Sequence, residues 1–320
     1  MTAHSGQLEN LPFINEARVK SVLEWGPLID ALEKAMIEFS AGRVEQPVRQ
    51  MVPVPGEDAI IAAMPAVGEA MAVKIVTLYH ANPSKGLPSH QAVIVVFNKD
   101  NGTPLAVLDG RLITEMRTAA GSAAAARQLA PSTPSVITVL GSGVQGRAHV
   151  QALKAVRDCE QWRIWSRNEA AGRALAQEVG ATFVADIGEA VSGADIVACT
   201  TSAKEPLFDG TLIKPGAFVT SVGWNTADGR ELDDAAMANT VIVESRDAAN
   251  DQAGDVRGSG CDIFAEIGEV YAGAKVVPDN ATVIFDSVGI AIMDVAAAQL
   301  VYELVSQIKL MYNKYRYRNL

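Results

Sequence analysis

Three basic side chains stand where charge is costly. Arg49 lies inside Pro47-Val-Arg-Gln-Met-Val52, Lys74 interrupts Ala72-Val-Lys-Ile-Val76, and Arg117 falls at the start of an alanine-rich stretch. A charge on an apolar element has to be paired. Brought together, the three would grip a small carboxylate, with arginine giving bidentate contacts. Left apart, they are three structural ion pairs, and spacing alone does not choose between the two. Lys74 has a second use: if burial depresses its pKa, it can give a proton to a substrate nitrogen.

The other chemical feature is Gly141-Ser-Gly-Val-Gln-Gly146. It follows the β-branched run Val136–Leu140, which reads as a buried strand, and precedes Arg147–Val156, which reads as a helix. Gly141 permits the tight turn, Gly143 lets backbone approach a pyrophosphate, and Gly146 lets helix and strand pack closely. The helix N-terminus presents unpaired N–H groups to phosphates. A second strand, Gln161–Trp165, ends in Ser166-Arg167-Asn168. A site for NAD(H) carries a carboxylate there for the ribose 2′-hydroxyl. Here Arg167 suits a 2′-phosphate, with Ser166 and Asn168 as further donors, so NADPH is expected, with NADH possible. Arg167 as a mere surface charge is the alternative, and Glu169 lies close by. Thr200 and Thr201 end a further strand, where parallel sheets bind ligands.

These residues need two different frameworks. Segments 47–54, 59–64, 70–79, 91–97 and 103–109 read as successive strands, the last pair joined by the hairpin signal Lys99-Asp-Asn-Gly102. With no βαβ alternation, this is a mostly antiparallel α+β domain. Helical segments precede it, Arg18–Trp25 and Leu28–Phe39 around a Gly26-Pro27 break. Glu115–Leu129 reads as a helix leading into the second domain. Strands at 136–140, 161–165, 182–185, 195–201, 217–222, 240–244 and 282–286 mostly alternate with helices, which predicts a doubly wound, Rossmann-type α/β domain. The division is 1–115, completed by 291–320, for substrate binding and dimerisation, and 116–290 for the dinucleotide. A last helix, Ile292–Tyr315, is expected to return to the first domain.

Composition removes other classes. The chain has 320 residues, 49% of them hydrophobic and 20% charged, and a formal net charge of −10. An acidic chain of this kind is not expected to bind nucleic acid. The longest apolar runs are strand-length, so no membrane span is expected, and the N-terminus lacks the pattern of a signal peptide. The cysteines, Cys159, Cys199 and Cys261, are scattered without a C-x-x-C pair, and the four histidines form no ligand pattern. A cytoplasmic protein without a metal is expected.

The chain resembles the ornithine cyclodeaminase/μ-crystallin family from about residue 11 to 304. The blocks that carry the likeness are Gln46–Val54, Pro88-Ser-His-Gln-Ala92, Arg117-Thr-Ala-Ala120, Gly141–Gln145, Arg230-Glu-Leu-Asp233, Ile263–Glu269 and Phe285-Asp-Ser-Val-Gly289. Their wording is nearest the ketimine reductase branch. The resemblance implies that Arg49, Lys74 and Arg117 hold the substrate carboxylate, Arg117 also reaching the cofactor. Ser89 and His90 would lie at the cofactor; His90 would otherwise read as a catalytic acid. Val144 and Gln145 would contact the pyrophosphate, Thr200, Thr201 and Val222 would lie at the cofactor, and Ser287 and Val288 would border nicotinamide and substrate. It implies a homodimer joined through the antiparallel sheets.

One departure matters. Cyclodeaminases of the family carry a catalytic Asp in V-G-x-D, and this chain reads Val222-Gly-Trp-Asn225. Asn225 cannot exchange a proton as a carboxylate does. The expectation is therefore NADPH-dependent reduction of cyclic imino acids, Δ1-pyrroline-2-carboxylate or Δ1-piperideine-2-carboxylate, to proline or pipecolate, with Lys74 and Asn225 at the reacting centre. The alternatives are an open-chain amino-acid dehydrogenase of the alanine or arginine type, an ornithine or lysine cyclodeaminase, and a binding protein without turnover.

Overall fold

The structure, a computed structural model, describes residues 10–223 and 229–318. Asn225 lies outside the described residues. The chain divides into two compact units: residues 1–35, 42–117 and 291–320 form the first, and 36–41 with 118–290 form the second.

The first unit is built on six strands: β1 (Phe13–Ile14), β2 (Gln50–Pro53), β3 (Ala59–Val67), β4 (Met71–Tyr79), β5 (His90–Phe97) and β6 (Pro104–Asp109). Their order is β1-β6-β5-β4-β3-β2. Only β1, which no sequence signal announced, runs parallel to its neighbour; the other pairs are antiparallel. Side chains alternate between faces. Met64, Lys74, Ile94 and Leu108 share one register row and all are buried, under the C-terminal helix Ala291–Arg318, which packs on β3, β4 and β5. The opposite face stays apolar and open, with Ile61 41%, Ile75 40% and Val93 41% exposed.

Two helix boundaries differ from expectation for a physical reason. Gly26-Pro27 does not break a helix but opens one, Trp25–Ser40; proline is tolerated in a first turn because its missing N–H has no intrahelical partner there. The alanine-rich helix starts at Gly110, ahead of the expected Glu115, and ends at Leu129 as read. The C-terminal helix also corrects the membrane reading: Ala291–Leu310 is long and apolar enough to cross a membrane. Its apolar character serves the core instead, because Val295, Ala298 and Val301 are buried and Asp294 sits between two cations of the same unit.

The second unit is an all-parallel sheet of β7 (Val136–Leu140), β8 (Gln161–Trp165), β9 (Thr182–Phe183), β10 (Ile196–Cys199), β11 (Phe218–Ser221), β12 (Thr240–Val243), β13 (Ile263–Glu266) and β14 (Val283–Asp286). The order is β13-β12-β14-β11-β10-β7-β8-β9. The winding reverses at β7, with β8 on one side and β10 on the other, and in sheets of this kind the crevice at that point takes the ligand. β10 and β11 are buried throughout, as strands covered on both faces must be. β13 is the strand the sequence reading missed.

Candidate active site

In the first unit the clamp is organised by a residue that the sequence reading did not name. Asp294, wholly buried in the C-terminal helix, accepts from Lys74 Nζ at 2.6 Å and from Arg117 Nε at 3.1 Å. Gln46 holds the start of that helix by accepting from the Ile292 N–H at 2.8 Å. Lys74 is 1% exposed. Burial pushes its pKa down to about 7; Asp294 opposes the shift, and Arg117 and Arg49 reinforce it. Burial also pushes Asp294 up, but Arg117 and Lys74 outweigh it and hold the carboxylate below its ordinary range.

Arg49 and Arg117 thus both act on Lys74, and Asp294 pairs with Lys74 and Arg117. Cationic donors gathered at one place suit an anion. His90, at the head of β5, feels the same field: burial first, then Lys74 and Arg117, push it down to about 3. It is neutral near pH 7 and cannot serve there as a general acid from the imidazolium form. Ser89 adjoins it, its carbonyl accepting from the Tyr79 N–H.

In the second unit the three glycines play distinct parts. Gly141 has φ +124°, and a Cβ there would come within 2.5 Å of Thr200 Oγ1. A Cβ on Gly146 would collide with the Gly141 carbonyl. A Cβ on Gly143 would meet nothing within 4 Å, and Gly141–Gly143 line a cleft with Trp165–Asn168 and Thr200–Ala203. Val144 and Gln145 open the helix Val144–Lys154 beside it, Val144 52% exposed.

Ser142 and Ser166 hydroxyls are 2.8 Å apart. Arg167 is exposed in the cleft wall. Asn168 caps the next helix by accepting from the Ala171 N–H, which leaves its amide nitrogen as the donor. Glu169 pairs with Arg173 at 3.2 Å, away from the role of a ribose acceptor. Open space at Gly143, the helix N-terminus beside it and the polar wall of Ser166, Arg167 and Asn168 fit a nicotinamide dinucleotide.

Val222, Ser287 and Val288 follow the C-terminal ends of β11 and β14. The Val222 N–H donates to the Cys199 carbonyl, the Ser287 hydroxyl donates to Glu244 at 2.6 Å, and Val288 is buried. Below the glycine turn, His149 is a structural pin. Its Nδ1 meets the Gln145 carbonyl and its Nε2 the Ser122 hydroxyl, which in turn meets Thr220. Burial lowers it to about 4, so it is neutral.

The family model for ornithine cyclodeaminase/mu-crystallin matches residues 12–309. The chain belongs to that family. It is 41% identical over 286 residues to the ketimine reductase mu-crystallin of Macropus fuliginosus, covering 86% of this chain and 91% of that one. It is 33% identical to a Δ1-pyrroline-2-carboxylate reductase of Bacillus cereus, over 84% of this chain and 89% of the relative. Among solved structures, the Δ1-pyrroline-2-carboxylate reductase of Thermococcus litoralis, in complex with NADH and L-proline, superposes with a TM-score of 0.88. It shows 31% identity and covers 93% of this chain and 98% of its own. The chain stands with oxidoreductases that act on C=N bonds.

Proposed function

We propose that this protein reduces cyclic imino acids, Δ1-pyrroline-2-carboxylate or Δ1-piperideine-2-carboxylate, to the cyclic amino acid with NADPH. The observation that carries the reading is the buried Lys74–Asp294–Arg117 group with Arg49 in its field. It gathers a lysine and an arginine on one buried aspartate, within the field of a second arginine, and such donors suit a small carboxylate. Arg117 and Arg49 hold the substrate carboxylate, which fixes the ring so that the C=N carbon is presented for attack; positioning of this kind supplies much of an enzyme's rate. Lys74, poised near neutrality, gives a proton to the ring nitrogen and is reprotonated from solvent. A bound dihydronicotinamide supplies the hydride.

The preference for NADPH rests on Arg167 and on the absence of a carboxylate at the end of β8. One phosphate contact from a charged donor is worth about 1.5–3 kcal/mol, roughly ten- to a hundredfold in affinity. Reduction, rather than cyclodeamination, is favoured by Asn225 in place of the family's Asp. A homodimer is favoured by the open apolar face of the first unit's sheet; an archaeal alanine dehydrogenase, 26% identical with a TM-score of 0.88, is a dimer with bound NAD.

The test follows NADPH absorbance with each imine, then assays ammonia from ornithine with NAD+. Oxidation of NADPH with either imine is expected, at least tenfold faster than with NADH. Ammonia release without imine reduction would make the protein a cyclodeaminase, and NAD(P)+ reduction by alanine alone would make it an open-chain dehydrogenase.

A further inference from the structure

A group of buried carboxyls lies at the C-terminal end of the second unit's sheet, and the proposed chemistry makes no use of it. Glu231, Glu244, Asp255 and Asp286 are each at most 3% exposed. Among the described residues no three His, Cys, Asp or Glu are arranged to hold a metal ion. What the group does is visible in the hydrogen bonds of Glu231. Its Oε1 accepts from the Thr201 N–H and the Thr201 hydroxyl, both at 2.6 Å, and its Oε2 accepts from the Gly223 N–H at 2.8 Å. Its main-chain carbonyl accepts from the Leu207 N–H at 2.9 Å. Thr201 and Leu207 belong to the wall of the nucleotide cleft. One residue therefore ties down both ends of that wall.

The proton inventory is constrained. The Thr201 hydroxyl accepts from the Ala203 N–H, so its own hydrogen goes to Glu231. The Ser221 hydroxyl has one hydrogen and two carboxyl neighbours, Glu231 Oε2 at 3.0 Å and Asp255 Oδ2 at 2.8 Å. One of the two acids must donate to it. Asp255 takes the N–H groups of Glu231 and Leu232 on Oδ1 alone, which leaves Oδ2 for a proton, whereas both oxygens of Glu231 are occupied by donors. Asp286 lies in the same group, its Oδ2 buried without a hydrogen-bond partner; burial first, then Asp255, Glu244 and Glu231, push its own pKa well up, so it joins the group as a neutral acid.

We infer that Glu231, kept as a carboxylate by a proton on Asp255 relayed through Ser221, is the positioning residue for the Thr201–Leu207 wall of the cleft. This rests on the reading that the cleft takes the dinucleotide.

The test compares Asp255→Asn, Glu231→Gln and Ser221→Ala with the wild type, by NADPH titration, by imine kinetics at saturating NADPH and by thermal unfolding. Asparagine reproduces a protonated Asp255, an N–H donor to Ser221 and an oxygen for the two main-chain groups, so NADPH affinity should stay within about twofold. Glutamine turns a donor toward donors, and affinity should fall roughly ten- to a hundredfold. The KM for the imine and kcat at saturating NADPH should move far less, a split that general destabilisation would not give. Ser221→Ala, outside the cleft and conservative, should weaken NADPH severalfold and keeps the inference testable should Glu231→Gln not fold. Equal losses in Asp255→Asn and Glu231→Gln, or a silent Ser221→Ala, would overturn it. A wild type that binds neither NADPH nor NADH would sink the nucleotide reading itself, and this inference with it.

Discussion

Lys74 is held near neutrality by opposing forces that can be moved one at a time. As the proton donor it acts in its charged form, so kcat/KM should fall as pH rises through about 7. In kcat the limb should lie higher, because a bound carboxylate favours the ammonium. Asp294 is the group that raises Lys74, so Asp294→Asn should shift the limb to lower pH. That variant removes the counter-charge of a buried pair, a loss of about 3–5 kcal/mol while both cations stay charged, and release of the Lys74 proton is the cheaper response. Lys74→Met should abolish the limb and lower kcat/KM by roughly 10²- to 10⁴-fold. His90→Gln should leave the limb in place; if it moves instead, the proton comes from His90. The two cations of this site were legible because a charge inside an apolar strand or helix needs a partner. The same argument applies to Asp294, an acid in Ala291-Ile-Met-Asp-Val-Ala296, yet periodicity cannot say which of many distant charges answers it.

At the scale of elements, the turn after β7 separates fold from ligand. Gly141→Ala would force φ +124° on a side chain and press it against Thr200, a cost of at least about 1–3 kcal/mol. Gly143→Ala faces open space, so its unfolding temperature should match the wild type while NADPH affinity drops more than about tenfold. If Gly143→Ala binds NADPH normally, the pyrophosphate does not lie over that residue. The parallel strands were readable because burial on both faces leaves near-continuous apolar runs such as Val136–Leu140. β13 was not: it is four residues long at the sheet edge, contains Glu266, and pairs with β12 through a register irregularity. Helix starts were misread at Pro27 and Gly110, because proline and glycine act at a helix N-terminus in a way that their mid-helix cost conceals.

At the scale of the whole molecule, the proposed dimer rests on the open sheet face. Ala63, Ile75 and Val93 stand side by side across β3, β4 and β5. The protein should sediment at twice its 33.8 kDa chain mass, and the double variant Ile75→Glu with Val93→Glu at one chain mass. A wild type that sediments at 33.8 kDa would remove the dimer from the proposal. The order of the chain carries a further consequence. The second unit is nearly contiguous, residues 118–290 with a short segment at 36–41, whereas the first needs residues 291–320 to close. Lys74 and Asp294 are 220 positions apart. During synthesis the nucleotide-binding half can condense while the ribosome is still adding residues, but Lys74 waits without its counter-charge until the last helix emerges. The carboxylate clamp is therefore the final part of the molecule to be assembled, and a nascent chain lacking that helix holds no competent substrate site.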